Sequence, residues 1–234
     1  MSEKGKTPGK KGAVRHKRTA RDPSQKVKTA KGRKTSSTEW LKRQLNDPYV
    51  REAERLGYRS RAAFKLIEMD EKHPFLKKGQ VIVDLGSAPG GWSQVAAQKG
   101  ADVIAIDILP MDELTDVTFM QLDFGEDDAP DKLFELLDGR RADAVISDIA
   151  PNTTGHKQTD HLRIIAFAEM AYDFAAQVLA PEGTFICKVF QGGAQEDLLK
   201  KLKADFKTVK HIKPPASRKD SAEIYVMGLG FKKE

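Results

Sequence analysis

Short apolar runs alternate with amphipathic segments along the central part of the chain. The apolar runs predict strands near residues 81–84, 102–107, 117–122, 143–148 and 183–190. The amphipathic segments predict helices near residues 91–99, 130–138, 160–179 and 193–204. Strands and helices that alternate in this way are typical of a parallel sheet with helices on both faces.

The last two apolar runs have no helix between them. Residues 206–213 and 222–231 both have the pattern of a strand, and only a loop containing Lys-Pro-Pro separates them. Strands joined without a crossover helix pair antiparallel. We therefore expect an α/β fold with a doubly wound, mostly parallel seven-stranded sheet, Rossmann-like, with one antiparallel strand near the C-terminus.

The region before the first strand has helical signals. Thr38 can cap a first short helix, and Gly57 can end a second one. Ser60 can cap a third helix that runs to about Glu71. With no internal repeat and no sign of a second core, residues 40–234 are expected to form one domain.

Residues 1–39 differ in composition from the rest of the chain. They contain 13 basic and 3 acidic residues, a net charge of +10, whereas the other 195 residues carry a net charge of −4. Almost no large apolar residues occur among them, so burial cannot offset the loss of chain entropy and we expect a disordered tail. A basic tail of this kind favours contact with nucleic acid phosphates, and a merely solubilising role is the alternative.

Composition also bears on location. The 234-residue chain has one cysteine, Cys187, so no disulfide can form within it. No apolar run reaches the length of a membrane span, and the N-terminus has no apolar stretch typical of a secretory signal. We expect a cytoplasmic protein with no membrane association and no obligate protein partner, and a monomer as the default state.

The segment VIVDLGSAPGGWSQ, residues 81–94, carries the first chemical signal. A strand ends in Asp84 and is followed by Gly86, Gly90 and Gly91, which let the main chain approach a ligand closely. Asp107 ends the next strand, where its carboxylate can accept hydrogen bonds from a ribose diol. Asp123 follows the third strand and can accept one from an adenine amino group. Together they predict a cofactor that contains adenosine.

Three classes of such cofactor compete for this loop. ATP would require G-x-x-x-x-G-K-[ST], and no lysine follows these glycines. A dinucleotide would require G-x-G-x-x-G, which the spacing Gly86-x-x-x-Gly90-Gly91 lacks. A carboxylate at Asp84 would repel phosphates but suits the ammonium group of S-adenosylmethionine. The residues favour S-adenosylmethionine over the other two.

Four ionisable residues occupy unusual positions. Lys188 lies within an apolar strand, where burial would lower the pKa of its amine, and Asp148 ends the neighbouring strand. Glu223 begins the last strand, and Lys65 projects from the helix before the first one. Taken singly, each fits a structural role, such as a lysine whose amine reaches the surface or an ion pair. On the predicted sheet they would meet beside the cofactor.

At these residues the sequence resembles the FtsJ/RrmJ family of ribosomal RNA 2′-O-ribose methyltransferases. The resemblance runs from about Trp40 to the C-terminus. Its markers are residues 60–66, 84–94, 109–112, 147–152 and 188–192, together with Ser217, Arg218 and Glu223. The Lys–Asp–Lys–Glu tetrad of the family maps onto Lys65, Asp148, Lys188 and Glu223. Bacterial members are similar in length to residues 28–234, so the basic tail is a departure from the family pattern.

The resemblance implies methyl transfer from S-adenosylmethionine, leaving S-adenosylhomocysteine, to a ribose 2′-hydroxyl of RNA. The family suggests a uridine in the A-loop of large-subunit (23S) ribosomal RNA, with the assembled subunit as substrate. In that reaction Lys188 would take the hydroxyl proton or steer its lone pair, Asp148 and Glu223 would orient Lys188, and Lys65 would fix the ribose or its phosphate. Methylation of transfer RNA or of a cap stays open. So do a non-catalytic role in ribosome assembly and a nicotinamide-dependent reductase on a similar sheet.

The implied contacts with the cofactor lie at the carboxyl edge of the sheet. They are Asp84, Gly86, Ser87, Ala88, Pro89, Gly90, Gly91, Trp92, Asp107, Ile108, Asp123, Phe124 and Asp148, although Trp92 also suits simple packing. The candidate RNA contacts are Arg59, Arg61, Lys65, Ser217, Arg218 and Lys219. The five histidines lack cysteine or carboxylate partners at ligand spacing, so we expect no metal site.

Overall fold

The computed structural model describes residues 35–151, 154–192 and 196–233. The chain divides into two units, Met1–Asn46 and Asp47–Glu234. In the first unit, the described residues are helix α1, Thr35–Leu45, and Asn46. The second unit contains α2 (Pro48–Leu56), α3 (Ala62–Lys72), β1 (Val81–Leu85), α4 (Gly91–Gln98), β2 (Asp102–Asp107), β3 (Val117–Gln121), α5 (Ala129–Leu137), β4 (Ala142–Ser147), α6 (Lys157–Val178), β5 (Leu179–Phe190), α7 (Glu196–Asp205), β6 (Phe206–Ile212) and β7 (Glu223–Phe231).

The strands form one seven-stranded sheet in the order β3-β2-β1-β4-β5-β7-β6. Strands β1 to β5 run parallel, with Asp84 of β1 beside Ala105 of β2 and Ile146 of β4. The chain leaves β1 towards β2 on one side and returns to β4 on the other. The carboxyl ends of β1 and β4 therefore border the crevice in which open α/β sheets bind ligands.

Strand β7 is the antiparallel strand that the sequence predicts. It pairs antiparallel with both β5 and β6, which completes the doubly wound fold. The register places Lys188 opposite Tyr225 and Phe190 opposite Glu223. Directly opposed residues of an antiparallel pair share a face, so this register puts the side chains of Lys188, Tyr225 and Glu223 on the same side of the sheet.

Apolar side chains fill both faces of the sheet. On one face, Phe174 of α6, Leu202 of α7 and Phe185 of β5 belong to one core cluster, in which the Tyr172 ring of α6 packs edge-on against Phe185. On the other, helices α3 and α4 contribute Met69 and Trp92. Parallel strands that are buried on both faces need nearly continuous runs of apolar residues. The central strands could therefore be predicted from their apolar runs.

Helix starts differ most from the sequence-based prediction. Helix α1 already begins at Thr35, inside the segment assigned to the tail, so Thr38 lies within the helix and does not cap it. Residues 1–34 lie outside the described residues, as do 193–195 of the predicted helix 193–204. Gly57 ends α2 in the left-handed conformation as predicted, with φ of 74°. Arg61, and not Ser60 as predicted, is the N-cap residue of α3, although the Ser60 hydroxyl accepts a hydrogen bond of 3.3 Å from the Ala62 nitrogen.

Strand β5 also begins earlier than predicted, at Leu179, directly after α6. Leu179 pairs with Ala142, and an irregularity in the register follows before Ala144 pairs with Thr184. The sequence did not predict this short extension, because it contains Pro181, Glu182 and Gly183, which are typical of turns and lack an apolar strand pattern. None of the helices in the described ranges combines the length and apolar character that a bilayer crossing needs.

Candidate active site

The turn from β1 into α4 forms a tight main-chain cradle, residues 86–91, which we call the glycine loop. Gly86 has φ of 78°, and a Cβ there would lie 2.7 Å from Cγ1 of Ile149, in the loop after β4. Gly90 has φ of 101°, where an L side chain is strained. Glycine is therefore required at both positions, and the loop lies directly against the segment that carries Asp148.

Asp84 lies at the base of this cradle and is fully buried. Its Oδ2 accepts a hydrogen bond of 2.6 Å from the Ser93 hydroxyl, whereas Oδ1 has no partner within the described part of the chain. Burial raises the pKa of the carboxyl to about 7, the Ser93 hydrogen bond opposes the shift, and the nearby Asp148 and Asp107 carboxylates add to it. A buried, half-satisfied carboxyl of this kind fits a ligand that brings a positive charge.

Asp107 and Asp123 stand at the ends of the next two strands, as predicted. The two oxygens of Asp107 accept hydrogen bonds from the Ala88 nitrogen at 2.9 Å and the Leu109 nitrogen at 2.8 Å. Oδ1 of Asp123 accepts one from the Gly125 nitrogen at 2.8 Å. Each carboxylate oxygen has a second lone pair, so these bonds orient the carboxylates without using up their capacity to accept.

The remaining residues assigned to the cofactor divide into two groups. Ser87, Ala88 and Pro89 belong to the glycine loop, and Ile108 is 53% exposed beside Asp107, so these residues can line a ligand. Trp92 and Phe124 are almost fully buried, with 2% and 4% of each residue exposed. The Trp92 indole donates to the Ala62 carbonyl at 2.9 Å, and the Phe124 ring packs edge-on against Phe174.

The four residues of the predicted tetrad lie together at the carboxyl edge of the sheet. Lys188 Nζ lies 2.6 Å from Asp148 Oδ1 and 3.9 Å from Glu223 Oε1. Lys65 Nζ lies 3.7 Å from Asp148 Oδ2 and 3.8 Å from Glu223 Oε2. Two ammonium groups thus alternate with two carboxylates. Both lysines are almost fully buried, with side-chain exposures of 10% for Lys65 and 5% for Lys188.

Tyr225 is a member of this cluster that the sequence analysis missed. Its hydroxyl accepts a hydrogen bond of 2.8 Å from Lys65 and donates one of 2.5 Å to Asp148 Oδ1. A signal for it existed, because Glu223 and Tyr225 are two positions apart on a strand and so share a face. Which residue would stand opposite Lys188 depended on the register, which the sequence did not give.

Burial and charge act in opposite directions within the cluster. Burial lowers the pKa of the Lys65 amine, Asp148 and Glu223 act against this shift, and the charge of Lys188 adds to it. Burial would raise the pKa of Asp148, but Lys188 and Lys65 outweigh that effect and hold the pKa below its usual range. Burial also raises the pKa of the Tyr225 hydroxyl, and the Asp148 charge adds to this shift. The arrangement therefore contains an ionised carboxylate beside a buried lysine, Lys65, whose amine has a lowered pKa.

The candidate RNA contacts lie near the cluster, but most of them face inward. Arg61 contacts Asp47 at 3.1 Å and also donates to the main-chain carbonyl of Ala216. Arg218 Nε lies 3.6 Å from the same Asp47 carboxylate. Ser217 is buried, and Lys219 is exposed. Arg61 and Arg218 thus hold the loop between β6 and β7 against the start of α2.

Arg59 also contacts protein. Its guanidinium donates hydrogen bonds to the carbonyls of Pro89, Asp112 and Glu113. Of the predicted set, Lys219 is the residue whose side chain is plainly directed to solvent. The side chain of Asn152, in the segment 147–152 that supported the resemblance, lies outside the described residues. No group of three or more His, Cys, Asp or Glu that could hold a metal ion occurs within the described ranges.

Known proteins resemble the chain in sequence and in fold. A family model described as FtsJ-like methyltransferase matches residues 58–231. The chain is 60% identical over 219 residues to the ribosomal RNA large subunit methyltransferase E of Azorhizobium caulinodans, covering 91% of each protein. It is 61% identical over 212 residues to the protein of that name from Nitrobacter winogradskyi, covering 88% of this chain and 92% of the relative. A solved Plasmodium falciparum structure, described as a ribosomal RNA methyltransferase, has 35% identity and a TM-score of 0.68, covering 76% of this chain and all of its own.

Proposed function

The chain belongs to the FtsJ-like methyltransferase family, and from that premise we propose that it methylates a ribose 2′-hydroxyl of ribosomal RNA with S-adenosylmethionine as methyl donor. The finer proposal is a uridine in the A-loop of the 23S RNA, within the assembled large subunit. The relatives named above, which act on large-subunit ribosomal RNA, support the substrate class. Lys65, Asp148, Lys188 and Glu223 match the tetrad of a family of 2′-O-ribose methyltransferases, and this match supports the ribose hydroxyl as the methyl acceptor.

The cofactor proposal depends on the unpaired oxygen of Asp84. S-adenosylmethionine carries an ammonium group and a sulfonium centre, and a half-satisfied buried carboxyl suits a cation. Asp107 would accept hydrogen bonds from the ribose of the cofactor, and Asp123 from its adenine. Residues 86–90 would approach it through their main chain, and Ile108 would cover one side of the adenosine. When bound, S-adenosylmethionine supplies an electrophilic methyl group that already has a good leaving group.

The protein then has to align the acceptor and remove one proton. In its amine form, Lys188 Nζ would take the proton of the 2′-hydroxyl that accepts the methyl group, and S-adenosylhomocysteine would be the leaving group. Asp148 is 2.6 Å away and stabilises the ammonium group that results. Glu223, 3.9 Å from Lys188, would help to orient that amine, and Lys65, 3.7 Å from the other oxygen of Asp148, would fix the ribose or its phosphate. Tyr225 fixes the distance between Lys65 and Asp148.

The single observation that carries this proposal is the position of the buried Lys188–Asp148 pair beside the glycine loop. The Asp148 nitrogen donates to the Leu85 carbonyl at 3.2 Å, which ties the cluster to the end of β1. The next residue, Ile149, packs against Gly86. A proton acceptor and a methyl donor bound at Asp84 would therefore share one crevice.

Methyl transfer to defined RNA tests the proposal. The purified protein is incubated with tritiated S-adenosylmethionine and large subunits from a strain in which its gene is deleted. We expect label in 23S RNA, recovered after alkaline hydrolysis in a dinucleotide, because a methylated 2′-oxygen cannot cleave the adjacent phosphodiester. Mass spectrometry would identify the nucleotide. Label recovered in mononucleotides would mean that a base is modified, which contradicts the proposal.

The same assay separates the alternatives. Label in transfer RNA, with none in the subunits, would support the transfer RNA alternative. Tight binding to the subunit without transfer to any RNA would support a non-catalytic assembly factor. Subunits that already carry the modification are the matched control, since they should accept no label.

A further inference from the structure

We infer that Arg59 is a positioning residue that ties together the two loops expected to hold the adenosine part of the cofactor. The first is the glycine loop, and the second is the segment 108–116 between β2 and β3, which we call the β2–β3 loop. The inference rests on the proposed S-adenosylmethionine site and adds a residue to it. It gives Arg59 a role in addition to the RNA contact expected from the sequence.

The guanidinium of Arg59 bridges the two loops. Nη1 donates to the Pro89 carbonyl in the glycine loop at 3.3 Å and to the Asp112 carbonyl in the β2–β3 loop at 2.6 Å. Nη2 donates to the Glu113 carbonyl at 2.6 Å. Every hydrogen bond of this guanidinium within the described part of the chain ends on a main-chain carbonyl. A planar fork with several N–H donors can hold three carbonyls at once, which a lysine amine on its flexible stem cannot reproduce.

The base of the Arg59 side chain is itself held in place. The Gln94 side chain of α4 accepts a hydrogen bond from the Arg59 nitrogen at 2.9 Å and donates one to the Gly57 carbonyl at 2.8 Å. The segment before α3 is thus fixed on the helix that the glycine loop leads into. A donor fixed at its base restricts the loops at its tip, whereas a freely rotating side chain would not.

Packing around Gly90 shows that the seam between the loops is closed. A Cβ on Gly90 would lie 2.8 Å from Sδ of Met111 and 3.1 Å from Cδ and Nη1 of Arg59. Arg59 and Met111 therefore cover Gly90 with no room for a side chain. Asp107, whose carboxylate bonds Ala88 in one loop and Leu109 in the other, links the same two loops at their base. Arg59 links them at their tips.

The test compares Arg59→Lys with the wild-type protein in the absence of RNA. Isothermal titration with S-adenosylhomocysteine should show a dissociation constant raised roughly tenfold, the loss expected when hydrogen bonds from a charged group are removed. The substitution keeps the positive charge, and no RNA is present, so a residue that serves only as an RNA contact would leave this affinity unchanged. An unchanged dissociation constant would overturn the inference.

Arg141→Lys is the matched control. The Arg141 guanidinium also donates to two main-chain carbonyls, those of Gln177 and Leu179, but it lies at the amino end of β4, away from the cofactor edge. This variant should bind S-adenosylhomocysteine as the wild-type protein does. An equal loss of affinity in both variants would mean a general effect of losing arginine–carbonyl bonds, and would also overturn the inference.

Hydrogen exchange of the ligand-free protein gives a second readout. In Arg59→Lys, exchange should accelerate in peptides covering residues 86–91 and 108–116 and stay unchanged in β5 and β7. Acceleration throughout the protein would show a merely structural role and contradict the inference. If the wild-type protein fails to bind S-adenosylhomocysteine, the cofactor proposal fails, while the exchange experiment still decides whether Arg59 holds the loops.

Discussion

The candidate site has two halves, the tetrad and the cofactor half, which is the glycine loop with Asp84 beneath it. Buried charge is compensated in the first half and uncompensated in the second. In the tetrad, two lysines and two carboxylates compensate one another, and the pKa of Asp148 is held down. Beneath the glycine loop, Asp84 is fully buried, forms no ion pair with any lysine or arginine of the described ranges, and has its pKa raised to about 7. The first half is electrostatically complete without a ligand. The second half is completed by the positive charge that we propose the cofactor brings.

This difference has a physical consequence for folding. A buried ion pair is costly to break, because removing one partner leaves the other charge uncompensated. A buried unpaired carboxylate, in contrast, is costly to keep, so neutralising it stabilises the protein. The same chemical change, Asp to Asn, should therefore have opposite effects on stability in the two halves.

Asp148→Asn should give the largest effect. It leaves Lys65 and Lys188 buried without their shared carboxylate, and the free energy of unfolding at pH 8 should fall by about 3 kcal/mol. Because the folded-state pKa of Asp148 lies below its usual value, its contribution is present above that value and is lost as the pH falls through the folded-state pKa. Urea unfolding at several pH values, monitored by circular dichroism, measures the free energy of unfolding of both proteins. Stability equal to that of the wild-type protein would show that the cluster is not electrostatically coupled.

Asp84→Asn should raise stability in the ligand-free protein, by about 2 kcal/mol at pH 8. The folded-state pKa of about 7 lies above the ordinary value of 3.8, so wild-type stability is lost as the pH rises through 7. The gain in the variant should therefore disappear near pH 4. The same variant should bind S-adenosylhomocysteine much more weakly. If Asp84→Asn were less stable than the wild-type protein at pH 8, this would contradict the proposal that the Asp84 carboxylate is an uncompensated buried charge.

The affinity of the wild-type protein for S-adenosylhomocysteine should depend on pH for the same reason. Only the ionised form of Asp84 pairs with the ligand ammonium group, so lowering the pH from 8 to 6 through a pKa of about 7 should weaken binding about tenfold. Titration calorimetry in buffers of different ionisation enthalpy would also detect proton release on binding at pH 6. An affinity for S-adenosylhomocysteine that does not change between pH 8 and pH 6 would show that the Asp84 carboxylate does not bind the ligand.

Tyr225→Phe should have the smallest effect. It removes the hydroxyl that bridges Lys65 and Asp148 but keeps the ring against Trp92. Stability should fall by about 1 kcal/mol, the usual net worth of such hydrogen bonds, and methyl transfer should slow about fivefold through a lower kcat. A change in KM for the cofactor, with kcat intact, would contradict this placement of Tyr225.

The mostly parallel sheet and the meeting of the tetrad at its carboxyl edge could be anticipated from the sequence, because parallel strands bring their ends to one side. Lys188 and Asp148 were visible as polar residues at or within apolar runs. Tyr225 was not, since its partner depends on the register of β7 against β5. The inward direction of Arg59 could not be predicted either, because its guanidinium bonds main-chain carbonyls, which any sequence supplies.

Methyl transfer by Lys188→Ala, measured together with cofactor affinity, tests most directly whether the buried amine takes the proton. Transfer to undermodified large subunits should fall by about a thousandfold or more, the scale of lost general-base catalysis. The dissociation constant for S-adenosylhomocysteine should stay within about twofold of the wild-type value, because Lys188 lies outside the cofactor half. Lys207→Ala, which removes an exposed lysine on β6, serves as control and should transfer normally. Near-normal transfer by Lys188→Ala, at unchanged cofactor affinity, would contradict the assignment of Lys188 as the base.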